Sequence, residues 1–413
     1  MGTVVRGYKT ELDPNNAQRT AFMKHAGTAR FAYNWGLARS QEVYCTTGKR
    51  PPPIELHKEL NALKKTDYPW MYECSKCAPQ EALRDLNDAY TNFFRKVALK
   101  KQGKHQGKCG FPKPKKRSKA IGSFRLTGSI HVGASSIQLP RIGLVRLKEK
   151  DYLPFEAKIL SVTVSEQAGR WYASIQVEEE HLLPERTATA AIGVDLGIKR
   201  LATLSDGKTF ANPRALKQAQ KKLRRLERQK SRRTKGGMNR QKTRRKLAKT
   251  HARIAHVRLD AAHKLTSHLV KQHALIAIED LNTSGMLKNH KLAQAVSDSN
   301  FGEIRRQLDY KSKLFGIHLV MIDRFYPSSK MCSCCGWKDE DLELADRVFV
   351  CLDCGYLADR DYNAAKNILN EALRTTASSA GSHACGQSSA GLGAIPRETA
   401  LVEAGTNQRL GVS

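Results

Sequence analysis

The spacing of apolar positions changes several times in the N-terminal half of the chain. Residues 4–12 form a run typical of a strand, and Asp13 followed by Pro14 predicts a helix start. Apolar residues then recur at helical spacing, first as Phe22, Ala26, Phe31, Tyr33 and Trp35 and later as Leu83, Leu86, Ala89 or Tyr90, Phe93 and Val97. These positions predict a helical region after the first strand, with most of its aromatic rings in the core.

Short strand patterns follow this helical region. Residues 100–117 are rich in Lys, Gly and Pro, which disfavour a long helix and predict a basic loop. Strands are predicted at residues 121–126, 137–139, 144–147, 161–164 and 171–177. Apolar and polar residues alternate in the last of these, as in a sheet with one buried face. The pattern favours a small β-barrel or sandwich that the helices interrupt, followed by a linker at residues 178–187.

A second domain is predicted to begin at Ala190. An apolar strand at residues 191–197 carries one carboxylate, Asp195, and a second strand at residues 202–208 ends in an Asp-Gly turn. Residues 217–258 contain Lys or Arg at almost every second or third position. They predict two long basic helices that are interrupted near Gly236 and Gly237.

The remaining pattern predicts two more strands, one helix and a tail. A buried strand at residues 274–282 carries two acids near its end, Glu279 and Asp280. A helix at residues 301–315 and a strand at residues 318–323 follow it. After Ala372 the chain is rich in Ser, Ala and Gly without periodicity, which predicts disorder.

The net charge indicates which partner this protein has. The chain has 413 residues with 71 Lys and Arg, 39 Asp and Glu, and a formal net charge of +32. Such an excess of positive charge predicts a polyanionic partner, and nucleic acid is the partner we expect. Between residues 217 and 258 the only acidic residue is Glu227, and so one-sided a run would repel itself without a polyanion. A solvated charged face is the alternative interpretation.

The cysteines indicate a metal site. No secretory signal or membrane-spanning run is recognisable, so we expect a cytoplasmic protein without a membrane partner, in which clustered cysteines favour metal binding over disulfides. Two Cys-x-x-Cys-Gly motifs supply Cys332, Cys335, Cys351 and Cys354 at a spacing that suits one tetrahedral zinc ion. Four thiolates leave no open position, so the predicted ion is structural. Cys334 is an additional thiol, and Cys74 and Cys77 have no second pair nearby.

Three separated acids are candidates for the chemistry. Asp195 lies on a predicted strand, Glu279 ends another, and Asp361 opens a C-terminal helix. Three converging carboxylates can hold two Mg²⁺ ions about 4 Å apart for phosphodiester cleavage. Asp280 is an alternative to Glu279, and Asp359 is an alternative to Asp361. General acid and base catalysis by two carboxylates is the weaker interpretation, because the positive charge indicates a phosphate substrate.

Four segments in order carry a resemblance to a known family. GVDLGIKRLATLSDG, IAIEDLN, YPSSKMCSCCG and CLDCGYLADRDYNAAKNIL resemble the TnpB (OrfB) family of transposon-encoded proteins, relatives of compact type V CRISPR effectors. DPNNAQ, QEALRDLNDAYTNFFRK and GFPKPKKR also look like that family, so the resemblance covers most of the chain. The tail after Ala372 has no matching motif, and Cys334 departs from the pattern.

The resemblance implies a mixed α/β fold with several domains. A wedge β-barrel is expected at residues 1–13 and 118–185, interrupted by a helical recognition domain with its basic loop at residues 14–117. An RNase H-like RuvC nuclease domain is expected at residues 186–325 and 357–375. A zinc-binding, target-nucleic-acid-binding insertion is expected at residues 326–356, and a disordered tail at residues 376–413.

The resemblance also implies a mechanism and partners. The catalytic acids, which bind Mg²⁺, map to Asp195, Glu279 and Asp361, the last through the signature Asp361-Tyr362-Asn363. Family members bind a non-coding guide RNA, pair it with double-stranded DNA beside a short adjacent motif, and cut that DNA. One copy of the protein per RNA is expected. Our candidate nucleic-acid contacts are Tyr33, Lys76, Gln80, Asn92, Lys113, Lys115, Arg224, Arg225, Arg232, Arg233, Arg244 and Arg245.

Three other functions remain open at this point. A transposase that joins DNA strands itself would use similar carboxylates. A compact CRISPR effector would differ in its neighbouring genes. A nucleic-acid-binding regulator would retain the fold without guided cleavage.

Overall fold

The computed structural model describes residues 2–105, 107–117, 121–154, 157–181, 190–343, 345–381 and 402–404. Two compact units contain Met1–His181 with Leu401–Ser413, and Leu182–Ala400. Among the described residues, no helix has both the length and the apolar character needed to cross a membrane.

The first unit is a sheet with helices inserted after its first strand. Its elements are β1 (Gly2–Asp13), α1 (Asn16–Thr47), α2 (Pro53–Thr66), a short 3-10 helix (Pro69–Glu73), α3 (Cys77–Lys101), β2 (Ser123–Leu126), β3 (His131–Gly133), β4 (Ser136–Leu139), β5 (Gly143–Leu147), β6 (Lys158–Gln167) and β7 (Arg170–His181). The strand order is β2-β6-β7-β1-β5-β4-β3. The predicted insertion of helices between strands is therefore present.

Helices and sheet of this unit share one core. The Phe22 ring of α1 lies 5.0 Å from the Trp171 ring of β7 and 6.0 Å from the Phe124 ring of β2. Burying three large aromatic side chains together is a strong apolar contribution to stability. The apolar face of α1 thus packs directly on the sheet.

Several sequence predictions for this unit need correction. α1 begins at Asn16, because Asn15 and Gln18 form a capping box that satisfies its first N–H groups, so Asp13 is the end of β1. β7 continues through Glu178–Glu180, which pair with β1, where we predicted a linker. The rest of that linker, residues 182–187, lies outside the described residues. In the described part the strand pairing ends at β2 and β3, so it does not form the ring of hydrogen bonds that a closed barrel requires.

The second unit has a five-stranded sheet and two long basic helices. Its elements are β8 (Ala191–Asp195), β9 (Arg200–Leu204), β10 (Thr209–Ala211), α4 (Ala215–Arg232), α5 (Met238–Gln272), β11 (Leu275–Glu279), α6 (Thr283–Met286), α7 (Ala293–Ser299), α8 (Phe301–Phe315), β12 (His318–Ile322), β13 (Val348–Val350), β14 (Leu357–Asp359) and α9 (Arg360–Gly381). The strand order is β10-β9-β8-β11-β12, with β8, β11 and β12 parallel. The predicted interruption between the basic helices lies between α4 and α5.

The C-terminal tail is only partly described. α9 extends to Gly381, beyond the predicted start of the tail at residue 376. A last strand, β15 (Val402–Ala404), pairs in parallel with residues 6–8 of β1. The other residues of the predicted tail, 382–401 and 405–413, lie outside the described residues.

Candidate active site and metal centre

Two of the predicted acids end neighbouring parallel strands. Val194 of β8 and Ile278 of β11 are paired in register, and Asp195 and Glu279 each follow directly. Neighbouring strands lie about 4.8 Å apart, and residues level with each other on parallel strands point to the same face. The register therefore places both carboxylates on one face at one end of the sheet.

The third acid reaches this face because α9 lies unusually close to β8. A Cβ added to Gly193 would lie 2.1 Å from the Ala365 carbonyl oxygen and 2.8 Å from the Leu369 nitrogen. Gly193 and Asp195 share a face of β8, two residues or about 6.6 Å apart. Asp361 precedes Ala365 by four residues, about 6 Å along the helix. The glycine contact therefore brings Asp361 to the level of Asp195.

Burial and mutual repulsion raise the proton affinity of this site. Burial, followed by the charges of Glu279 and Asp361, raises the pKa of Asp195 to about 8. Burial also raises the pKa of Glu279. Carboxylates that repel one another in a poorly solvated site hold protons unless a cation neutralises them. This is the environment expected of a cation-binding site.

The alternative acids have other partners. Asp280 accepts hydrogen bonds from Arg305 and Arg324, and the Arg324 contact lowers its pKa. Asp359 accepts hydrogen bonds from the backbone N–H groups of Asp361 and Tyr362, at 3.0 and 3.3 Å, so it caps α9. Its other oxygen lies 3.1 Å from Nη1 of Arg200. Both residues have structural roles that leave Glu279 and Asp361 as the better candidates.

The segment before the first cysteine motif forms a hydrogen bond with Glu279. Ser328 is buried and its hydroxyl donates a hydrogen bond to the Glu279 carboxylate. The Asn367 side chain of α9 donates to the Ser328 carbonyl oxygen at 2.7 Å and to that of Met331 at 2.6 Å. Glu279 is therefore oriented by residues that also fix the approach to the cysteine cluster.

Asn363 ties the first cysteine motif to α9. This side chain is fully buried, accepts a hydrogen bond from the Ser333 N–H at 2.9 Å, and donates one to the Met331 carbonyl oxygen at 2.6 Å. The sequence signature drew attention to Asn363 but did not indicate this role. No sequence signal distinguished Ser328 or Asn367, because their partners come from distant segments.

The four predicted cysteines form a compact cluster. The Sγ atoms of Cys332, Cys335, Cys351 and Cys354 lie within 4.8 Å of one another. Gly336 and Gly355, after each pair, have φ angles of +83° and +75°, which glycine adopts without strain. Among the described residues these cysteines alone bring three or more candidate metal-ligand atoms so close together. The carboxylate oxygens of Asp195, Glu279 and Asp361 do not all lie within 4.8 Å of one another.

Comparisons with known proteins identify the family. Models described as "Probable transposase", "Cas12f1-like, TNB domain" and "Helix-turn-helix domain" match residues 174–290, 301–368 and 1–49. A "Putative RNA-guided DNA endonuclease" of Streptomyces pristinaespiralis is 36% identical over 91% of this chain and 92% of its own. The chain belongs to the TnpB (OrfB) family. Within the segment matched as helix-turn-helix, residues 2–49 contain β1 and a single helix, α1.

One further relative and one solved structure illustrate the range of similarity to this chain. "Putative RNA-guided DNA endonuclease InsQ" of Escherichia coli strain K12 is 34% identical over 88% of this chain and 92% of its own. A solved Cas12f1-sgRNA-target DNA complex matches 86% of this chain and 82% of that chain, with 14% identity and a TM-score of 0.49.

The basic helices of this family member present most of the predicted arginines to solvent. Arg224, Arg225, Arg232, Arg244 and Arg245 are exposed on α4 and α5. Arg233 is half-buried, and its guanidinium donates to the Asn239 carbonyl oxygen and to Thr243, which ties the turn between the helices. It therefore supports the hairpin.

A buried acid fixes the position of α4. Both carboxylate oxygens of Asp298 accept hydrogen bonds from the N–H groups of Leu216 and Lys217, at 2.9 and 3.1 Å. Oδ1 also lies 3.0 Å from Nε of Arg258 on α5. One buried carboxylate thus caps α4 and joins it to α5. No local pattern in the sequence marks Asp298 for this role.

The other predicted contacts lie in the first unit. Lys76 and Gln80 are exposed and line a cavity of about 440 Å³ beside Pro53 and His57. Asn92 is exposed and accepts a hydrogen bond from Arg95 at 3.1 Å. Lys113 is exposed on the basic loop.

Two of the predicted contacts, Tyr33 and Lys115, lie against each other. The Tyr33 side chain is buried in the core, and Nζ of Lys115 lies 4.0 Å from its ring centroid. Lys115 also lies 4.0 Å from the Asp85 carboxylate. Tyr33 therefore packs the interior and supports Lys115.

The cysteine segment differs in charge from the rest of the chain. Residues 326–356 contain six acidic and three basic residues. Phosphate binding needs an excess of positive charge. The predicted role of residues 326–356 in binding target nucleic acid stays a prediction, and any such binding would need to rely on more than net charge.

Proposed function

We propose that this protein is an RNA-guided DNA endonuclease of a transposable element. The observation that carries the proposal is the convergence of Asp195, Glu279 and Asp361 at one end of a parallel strand pair beneath α9. Relatives named as RNA-guided DNA endonucleases, and the net charge of +32, support a nucleic-acid substrate. The partners would be one guide RNA per protein copy and double-stranded target DNA.

The proposal assigns a function to each region. The sheet of the second unit would be the RNase H-like RuvC nuclease domain. The sheet of the first unit would be the wedge domain, and α1 to α3 with the basic loop would form the recognition domain, part of which would read the adjacent motif. The cysteine segment would hold Ser328 and α9 in place beside the nuclease site.

The donor sets suit two different metals. Carboxylate oxygens suit Mg²⁺, which Asp195, Glu279 and Asp361 would hold. Bound Mg²⁺ would supply Lewis-acid polarisation of the phosphate, an activated water and stabilisation of the leaving oxygen. Ser328 would keep Glu279 oriented, and Asp359 would keep the first turn of α9 in place. The four cysteines would hold one zinc ion with no open position.

In the decisive experiment the protein is expressed together with its flanking locus, and guided DNA cleavage is then assayed. Sequencing RNA that copurifies with the protein defines the guide, and DNA with a matching target is then incubated with Mg²⁺. We expect cleavage of matching DNA only, and loss of cleavage by at least 100-fold in Asp195→Asn. Asp309→Asn, at an exposed position of α8, is the control and should cut normally.

Two outcomes would indicate another function, and a third would contradict the proposed site. Strand transfer of labelled element ends without RNA would indicate a transposase. Binding of matching DNA without cleavage by the wild type would indicate a regulator. Cleavage that survives Asp195→Asn unchanged would contradict the proposed site. Neighbouring genes at the locus distinguish a transposon protein from a CRISPR effector.

A further inference from the structure

Four aromatic rings form a contiguous cluster in the first unit. Phe93 lies 5.2 Å from both Phe94 and Phe111, and Tyr90 lies 6.4 Å from Phe94 and 5.7 Å from Phe111. Tyr90 is buried, whereas Phe94 and Phe111 are 56% and 43% exposed. The cluster therefore has a buried base and two rings that face solvent.

Rings at such a position need a reason other than core packing. Fully burying a Phe side chain stabilises a protein by about 1.5–3 kcal/mol, and half of that gain is forgone when the ring stays exposed. Adjacent exposed rings commonly mark a binding surface. Phe94 and Phe111 thus form a candidate surface for a ligand with an apolar or π face.

The chain from Ala89 onwards, which carries all four rings, is basic in sequence. Residues 89–148 contain 15 Lys and Arg and no acidic residue. Among the described residues, Lys96, Lys100, Lys104, Lys108 and Lys113 are exposed and have no ion pair with a carboxylate. A ligand with π faces and negative charge matches this surface, and an unpaired nucleic-acid strand has both.

The loop that carries Phe111 is held in place. Asn34 of α1 accepts a hydrogen bond from the Lys115 N–H at 2.8 Å and donates one to the Lys115 carbonyl oxygen at 3.0 Å. Pro112, next to Phe111, is buried. The guanidinium of Arg50 lies 4.7 Å from the centroid of the Tyr90 ring and supports the base of the cluster. The ring surface is therefore preorganised, which lowers the entropic cost of binding.

We propose that Phe94 and Phe111 stack on unpaired bases of the bound RNA while the neighbouring lysines contact its phosphates. This deepens the proposed function and rests on it for the identity of the strand, because the RNA is what a guided enzyme holds before it meets DNA. Stacking on an aromatic ring requires a base that is free of a partner strand. The surface should thus prefer single-stranded over duplex RNA.

The test measures binding by the full-length protein after its copurified RNA has been removed. The probe is a short single-stranded RNA that contains 2-aminopurine, whose fluorescence falls on stacking. Phe94→Leu/Phe111→Leu keeps apolar bulk and removes the rings, whereas Phe94→Tyr/Phe111→Tyr keeps them. We expect the leucine pair to weaken binding roughly 5-fold or more per ring and to abolish the quench, and the tyrosine pair to bind normally.

The controls separate stacking from folding, charge and catalysis. Tyr44→Leu, at an exposed aromatic position of α1, should bind as the wild type does. An unchanged melting temperature shows that the double leucine variant folds. If the double variant does not fold, each single leucine variant is measured in the same binding assay instead. Unchanged binding by the leucine pair, equal weakening with duplex RNA, or weakening seen only with single-stranded DNA would overturn the proposal. The assay contains no Mg²⁺, so failure of nuclease activity does not affect its result.

Discussion

Gly193 of β8 packs directly against the backbone of Ala365 in α9. No side chain fits between them, because an added Cβ at Gly193 would lie 2.1 Å from the Ala365 carbonyl oxygen. This contact sets the height of α9 above β8 and hence the position of Asp361 relative to Asp195. The alignment of the predicted active site thus depends on glycine at position 193, which has no side chain beyond a hydrogen atom.

Gly193→Ala should displace α9 and reduce cleavage. A displacement of about 1 Å in a catalytic group can cost 100-fold in rate, and overpacking typically costs about 1–3 kcal/mol in the free energy of unfolding. We expect guided cleavage to fall by about 100-fold while RNA still copurifies, because the basic residues are unchanged. Gly27→Ala is the matched control, since its Cβ would meet only Arg30 at 3.8 Å. Normal cleavage by Gly193→Ala would contradict this view of the site.

Asp195→Asn should stabilise the metal-free protein in a pH-dependent way. The pKa of Asp195 in the folded protein is about 8, above its ordinary value of 3.8. Between these values the unfolded chain loses a proton that the folded chain retains, so the folded state loses stability as pH rises. We expect the variant to raise the melting temperature near pH 8 and to change it little near pH 4. An equal shift at both pH values would disprove the assignment, and Asp260→Asn serves as an exposed control.

Asn363→Ala should loosen the cysteine cluster. It would leave the Ser333 N–H without its partner, at a cost of about 1–3 kcal/mol, while the Met331 carbonyl oxygen would keep the hydrogen bond from Asn367. We expect faster zinc release to a chromogenic chelator and lower cleavage at saturating Mg²⁺. Asn370→Ala, at an exposed position of the same helix, should behave as the wild type. Zinc release at the wild-type rate would show that Asn363 does not hold the cluster.

Asp298→Ala should destabilise the hairpin of α4 and α5. It removes the cap of α4 and leaves the guanidinium of Arg258 without its carboxylate, and breaking a buried ion pair costs about 3–5 kcal/mol. We expect a loss of that order in the free energy of unfolding by urea, together with weaker RNA binding. Asp260→Ala removes an exposed ion pair on α5 and should cost less than about 1 kcal/mol. Similar losses in the two variants would refute the role of Asp298.

Lys311→Met should stabilise the second unit at neutral pH. Lys311 is buried, donates to the hydroxyls of Thr266 and Ser267, and has its pKa lowered by burial to about 8. At pH 7 the folded state carries a poorly solvated charge, and this penalty falls as pH rises from 8 towards the ordinary lysine value. We therefore expect a higher melting temperature for Lys311→Met at pH 7 and a smaller difference at pH 10. Lys313→Met, exposed on the same helix, should show neither effect.

The sequence by itself determined the local elements and the kinds of chemistry. Apolar spacing located most strands and the long helices, because an element with one buried face has apolar residues at regular intervals along the sequence. The two Cys-x-x-Cys-Gly motifs indicated a four-cysteine cluster, because ligands within one turn have a nearly fixed separation. The run of basic residues indicated a polyanionic partner without any knowledge of the fold.

Only the tertiary structure decided between neighbouring residues of the same type. Glu279 and Asp280 are indistinguishable by pattern, but Arg305 and Arg324 bind Asp280, and strand register turns Glu279 towards Asp195. Asp359 caps α9 while Asp361 lies in its first turn. Side-chain direction depends on partners from distant segments, and these partners leave no local signal in the sequence. For the same reason only the structure revealed Ser328 beside Glu279.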